Sequence, residues 1–143
     1  MEDYQEIIPR IYLGGSDGSK DSLFIRGKKI SVILNCTKDL PNHFEPLFIE
    51  PIENAPEEVQ RWIGDNLPKY YRLPVDDNMK DVEIERFYEY SRKMIPIIIK
   101  EYNEGKNIFI HCLAGAQRSA GFVAMLLMTI EKISMEDAVE KIV

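Results

Sequence analysis

Apolar positions along the chain follow two periods in alternation. Short β-branched runs are separated by stretches whose apolar residues recur at three and four, the pattern of an α/β sheet covered on both faces. Ile7 to Gly14 reads as an opening strand ended by the Gly14-Gly15 turn, and Ser19 to Arg26 as a short helix. After Gly27-Lys28-Lys29, the nearly unbroken run Ile30 to Leu34 suits a strand buried on both faces, ending at Asn35-Cys36-Thr37. Tyr70 to Val75 is a further strand, followed by the loop Asp76-Asp77-Asn78. Ile84, Phe87, Tyr88, Ser91, Met94, Ile95, Ile98 and Ile99 form one stripe, which predicts a helix over Asp81 to Asn103 kinked at Pro96. Gly105 closes that helix, Asn107 to His111 reads as the central strand, and Arg118 to Ile130 as the helix after it. Ser134 is placed to cap a last short helix.

The expected architecture is therefore a central, mostly parallel sheet flanked by helices on both faces, in a single domain of residues 1–143. Between the third and fourth strands, a Pro-rich and acidic stretch reads as an inserted loop at about 41–67. Within it, Pro56-Glu57-Glu58 would start a short surface helix.

Charge narrows the classes of function. A net charge of -6 disfavours nucleic acid and anionic membranes as partners, because both require a broad basic surface. Gly121 to Ile130, the longest apolar run, is half the ~20 residues a spanning helix needs, and the first residues are acidic rather than signal-like. A soluble protein of the reducing cytoplasm, with the nucleus also open to it, is the expectation. Two cysteines make no disulfide framework, and two histidines without metal-ligand spacing predict neither a metal site nor a cofactor.

One segment stands out chemically: Ile108-Phe109-Ile110-His111-Cys112-Leu113-Ala114-Gly115-Ala116-Gln117-Arg118-Ser119. A strand delivers a thiol, then five residues, then an arginine that opens a helix. Cysteine becomes a strong nucleophile when positive charge and amide dipoles hold it as thiolate. Residues Leu113, Ala114, Gly115, Ala116, Gln117 and Arg118 can turn their N–H groups toward one centre, a nest for a phosphate dianion. Arg118 adds a bidentate fork that lysine lacks. Ser119 is placed to hydrogen-bond the sulfur and ease its departure. His111, on the opposite strand face, would orient the loop rather than exchange protons. For a cysteine alone, a buried small hydrophobe is the ordinary reading; His111, Gly115, Arg118 and Ser119 at fixed offsets overturn it. Asn35 has two readings, a brace for the loop or an ordinary strand-end turn residue. Cys36 also has two, an inert buried thiol or a partner for Cys112 under oxidation.

This segment resembles the phosphate-binding loop of the protein tyrosine phosphatase superfamily, and its Arg-Ser ending the dual-specificity branch. The likeness extends to Ile7–Gly14, Ile30–Thr37, Tyr71–Asp77 and Phe122–Val143, in the order of that branch. The resemblance implies a compact dual-specificity fold. It also implies cleavage of phosphotyrosine and phosphoserine or phosphothreonine in phosphoprotein substrates through a phosphocysteine, without metal. Its Pro-x-x-Asp pattern, counted from Pro74, selects Asp77 over Asp76 as the acid that protonates the leaving oxygen. Relatives that act on phosphoinositides or RNA 5′ phosphates, and non-catalytic modules that only bind phosphoproteins, define the alternatives. Gln117 stands where the branch commonly carries a hydroxyl residue, and the 41–67 segment is longer than the usual connection.

Overall fold

The computed structural model describes residues 3–45, 57, 67–76, 80–113 and 118–142, with residue 81 described for its backbone alone. The strands are β1 (Tyr4–Ile8), β2 (Ile11–Gly14), β3 (Ile30–Asn35), β4 (Lys69–Arg72) and β5 (Asn107–His111). Among them run α1 (Ser16–Ser19), α2 (Ser22–Gly27), α3 (Asp81–Asn103), α4 (Arg118–Glu131) and α5 (Met135–Ile142). They build one sheet in the order β1-β2-β5-β3-β4, antiparallel at β1–β2 and parallel elsewhere.

Strand β5 occupies the centre, pairing Ile110 with Leu13 on one side and Leu34 on the other. Alternation sends its side chains to opposite faces. Ile108, Ile110 and Cys112 join Val32, Leu34 and Cys36 in a core lined by Ile98 of α3 and Phe122, Val123, Leu126 and Leu127 of α4. Phe109 packs the other way, with Ile33, Tyr12, and Phe24 and Ile25 of α2. Helices on both faces of a mostly parallel sheet match the expected fold class.

Four details depart from the sequence expectations. The opening strand is two strands, because the chain reverses at Pro9-Arg10, with Arg10 in the left-handed region at φ 74°. The arginine side chain holds that turn, donating from Nη1 to Tyr102 O at 2.9 Å and Lys106 O at 2.8 Å. The Ser19–Arg26 helix is instead two short ones, α2 starting afresh where the Asp21 carboxylate caps the Phe24 amide. Strand β4 stops at Arg72: Leu73 N–H still donates to Asn35 O at 2.8 Å, and Pro74 then has no N–H to continue the ladder. In the α3 stripe Ser91 and Ile98 are fully buried, but Tyr88 and Ile84 are 54% and 38% exposed. Tyr88 sits at the stripe's margin, and the first turns of α3 project past the end of β4, where Glu83 meets Asp76.

Helix α3 spans the predicted residues and continues through Pro96. Glu101 near its end, 4% exposed, ties it to the sheet through Lys106 at 2.9 Å and the Tyr71 hydroxyl at 3.2 Å. Burial pushes this carboxyl up, but Lys106, Tyr71 and Lys69 outweigh it and hold it below the ordinary glutamate range. Ser134 caps α5, accepting from the Asp137 amide at 3.1 Å. The surface helix expected at Pro56–Ile63, and most of the 41–67 insertion, lie outside the described residues.

Candidate active site

Parallel strands end on one side of a sheet, and ligands gather outside those carboxyl ends. Here β3, β4 and β5 deliver Asn35, the Leu73–Asp76 segment and Cys112 to the same edge. Cys112 follows directly on β5 and is 2% exposed, and Leu113 beside it is 59% exposed. The sulfur thus sits at the floor of the edge and an apolar side chain at its rim.

Helix α4 begins with Arg118, and its second residue, the fully buried Ser119, brings Oγ within 3.1 Å of Cys112 Sγ. The sulfur therefore lies against the first turn of a helix, where unpaired amides and the macrodipole favour an anion. Arg118 donates from Nη1 to Val75 O at 2.8 Å, while its buried Nε has no partner among the described groups. A guanidinium held at one nitrogen with another free is an anion fork already oriented. Ala114, Gly115, Ala116 and Gln117 lie outside the described residues.

Two contacts fix how the loop leaves β5. His111 Nδ1 is 3.4 Å from Cys112 O, and Ser16 N–H donates to Leu113 O at 2.9 Å. A peptide is planar, so fixing the Cys112 carbonyl also fixes the Leu113 N–H, which points the opposite way. The His111 ring stacks on Phe109, centroids 5.5 Å apart, on the face opposite the sulfur. Burial, with His43 and Arg72 nearby, pushes it down to about 4, so it is neutral at pH 7. That environment suits an orienting ring rather than one that exchanges protons.

Asn35 is fully buried. Its Nδ2 donates to Leu40 O at 2.7 Å and Asn42 Oδ1 at 2.8 Å, and its Oδ1 accepts from Thr37 N–H and Oγ1. Its described partners thus belong to the 36–42 turn, which borders the site, rather than to the Cys112 loop. Cys36, fully buried, donates its backbone N–H to His111 O at 2.7 Å. Burial pushes its thiol well up; Cys112 adds to the rise and Arg118 opposes it.

Of the two candidate acids, Asp76 ion-pairs with Lys38 at 3.1 Å and its N–H donates to Glu83 at 2.9 Å. Asp77 lies outside the described residues. Sequence reading missed Ser16, Lys38 and Glu83 as neighbours of the site. An acidic residue in the first turn of a predicted helix was the one available signal, and it indicates helix capping in any chain. Among the described residues there is no cluster of three or more His, Cys, Asp or Glu side chains arranged around a metal, and no helix long and apolar enough to cross a membrane.

The model of the family "Dual specificity phosphatase, catalytic domain" matches residues 11–143. The chain is similar to mouse dual specificity protein phosphatase 2, 29% identical over 133 residues, covering 93% of this chain and 34% of that protein. It thus spans about a third of the length of such curated relatives. Among solved structures, human DUSP28 superposes with a TM-score of 0.75 at 14% identity, over 99% of this chain and 80% of that one. A human tyrosine phosphatase-like serine/threonine/tyrosine-interacting protein superposes at 0.66 and 22% identity, over 96% and 80%. At such identities these two likenesses carry the fold.

Proposed function

Because the chain belongs to the dual-specificity phosphatase catalytic-domain family, we propose that it is a cysteine-dependent phosphatase of phosphotyrosine and phosphoserine or phosphothreonine in proteins. Cys112 thiolate attacks phosphorus in line. Arg118 and the amides of residues 113–118 hold the three equatorial oxygens, and Asp77 protonates the leaving oxygen. A phosphocysteine forms. Asp77, now a carboxylate, takes a proton from the attacking water, and phosphate leaves as the thiolate is regenerated beside the Ser119 hydroxyl.

The observation that carries this reading is the 3.1 Å approach of Ser119 Oγ to Cys112 Sγ, with Arg118 next in the chain and already oriented. A hydroxyl there stabilises sulfur most when it bears charge, as attacking thiolate and as leaving group. Arg118 and the helix terminus supply the positive field, so the scheme needs no metal. A thiolate nucleophile also requires a reducing compartment, hence an intracellular setting.

The test is hydrolysis of p-nitrophenyl phosphate by reduced protein with chelator, across pH, beside Cys112→Ser and Asp77→Asn. Wild type should turn over, Cys112→Ser should be dead, and Asp77→Asn should lose the basic limb of the pH profile. Full turnover by Cys112→Ser defeats the scheme. An inactive wild type that still binds a phosphopeptide makes the protein a phosphoprotein-binding module. Preference for a phosphoinositide or a 5′-triphosphorylated RNA over a phosphotyrosine peptide would replace the substrate class.

A further inference from the structure

One peptide group beside the site is gripped at both of its polar ends. The carbonyl of Val75 accepts from Arg118 Nη1 at 2.8 Å, and the N–H of that same peptide unit, on Asp76, donates to Glu83 Oε2 at 2.9 Å. A cation at the oxygen and an anion at the N–H polarise the unit in the same sense, which strengthens both bonds. Because the unit is planar, fixing both ends fixes its orientation, and the next residue along the chain is Asp77.

Glu83 is unusual for its position. A glutamate in the first turn of a helix ordinarily lies at the surface, or reaches back to the amide of its own N-cap. Here the side chain is buried to 6% exposure, and it reaches seven residues back instead. Burying a carboxylate is costly unless it is paired. Arg86, 47% exposed, supplies the pairing at 2.8 Å to Oε1 and leaves Oε2 for the Asp76 amide. Lys38 holds the Asp76 carboxylate outward, toward the 36–42 turn.

We propose that Glu83 is a positioning residue for the general acid: together with Arg118 it clamps the Val75–Asp76 peptide, the link through which the chain enters Asp77. The inference rests on the reading of Asp77 as that acid. It places protonation under the control of the first turn of α3, and it links acid placement to the same arginine that grips phosphate. Arg86 serves as the outer half of the clamp.

The test is the leaving-group dependence of kcat/KM, measured with phenyl phosphate and with 2,4-dinitrophenyl phosphate. An acid matters for the poor leaving group and hardly at all for the activated one. General acid catalysis contributes roughly 10²–10⁴-fold, so Glu83→Ala should lose about tenfold or more on phenyl phosphate and less than about twofold on the dinitrophenyl ester. Glu83→Gln, which keeps an oxygen acceptor, should recover most of the loss. Adding Glu83→Ala to Asp77→Asn should cost nothing further on phenyl phosphate, because both act on one proton transfer. If Glu83→Ala fails to fold, Arg86→Ala carries the test with a smaller shift of the same kind. Equal losses on both esters, or none, overturn the clamp while Asp77→Asn still steepens the dependence. If Asp77→Asn does not steepen it, the acid assignment itself falls and the clamp with it.

Discussion

Asn35→Ala isolates the polar network beside the site. The side chain is fully buried and takes part in four hydrogen bonds, so its removal can be followed atom by atom. Leu40 O keeps a partner, Arg72 Nη2 at 2.9 Å, and Thr37 Oγ1 still accepts from Leu40 N–H at 3.1 Å. Among the described residues, two groups lose the Asn35 bond without another such partner: the Thr37 N–H and Asn42 Oδ1. Each buried group left unpaired costs about 1–3 kcal/mol, so the variant should lose about 2–6 kcal/mol, a large share of the roughly 5–15 kcal/mol that holds a domain folded. Urea denaturation followed by tryptophan fluorescence and by circular dichroism reads this directly. The midpoint should fall by about 1 M or more with an unchanged slope, and the melting temperature by roughly 5–20 °C. A loss below about 0.5 kcal/mol would refute the reasoning, since it would mean that the 36–42 turn finds other partners at no cost.

Ser119→Ala removes the hydroxyl 3.1 Å from Cys112 Sγ; a hydrogen bond to a charged group is worth about 1.5–3 kcal/mol, so phosphocysteine hydrolysis should slow by roughly 10–100-fold. Rapid-quench measurement should then show an aryl alcohol burst ahead of phosphate, and unchanged turnover contradicts the assignment. His111 lies below its ordinary 6.5 at about 4, so the unfolded chain binds the extra proton between these values. Its contribution to stability is therefore complete above pH 6.5 and is lost as pH falls toward 4. Its ring resonances should not titrate above pH 5, and titration near 6.5 rejects the buried neutral ring. A methyl on Gly18 would press on the Asp3 carbonyl and lie 3.0 Å from Phe109 Cζ, whereas one on Gly27 meets nothing within 4 Å. Gly18→Ala should lose about 1–3 kcal/mol and Gly27→Ala should be neutral or gain up to about 1 kcal/mol, with equal melting temperatures the outcome that contradicts both.

Legibility in the sequence followed how local each determinant was. The Ile30 and Asn107 strands were legible as short apolar runs buried on both faces, and the 23-residue α3 and the helix after Arg118 because burial on one face writes a period into the chain. The opposite facing of His111 and Cys112 followed from strand alternation alone. The Pro9-Arg10 reversal was not legible, since an arginine held in the left-handed region depends on the Tyr102 and Lys106 carbonyls, some 90 residues away. The partners of Asn35 could not be read either, because a buried amide at a strand end fits either neighbouring loop until the fold chooses. The same holds for the Glu83 clamp: an acid in a first helical turn looks like a cap, and only the approach of residues 75 and 76 gives it another role.

The central place of β5 has a consequence for how the molecule comes into being. Strands β2 and β3 each pair with β5 rather than with each other, yet β5 is the last of the five strands in the chain. A growing chain that has not reached residue 107 therefore carries two partial sheets with open inner edges, the kind of surface on which chains aggregate. Closing the gap requires contacts between distant parts of the sequence, which makes this step slow. The inserting strand also brings the thiol, and the arginine follows within a few residues. The strand that completes the sheet is thus also the one that brings Cys112 to the site, so assembly of the site waits on the slowest pairing of the sheet.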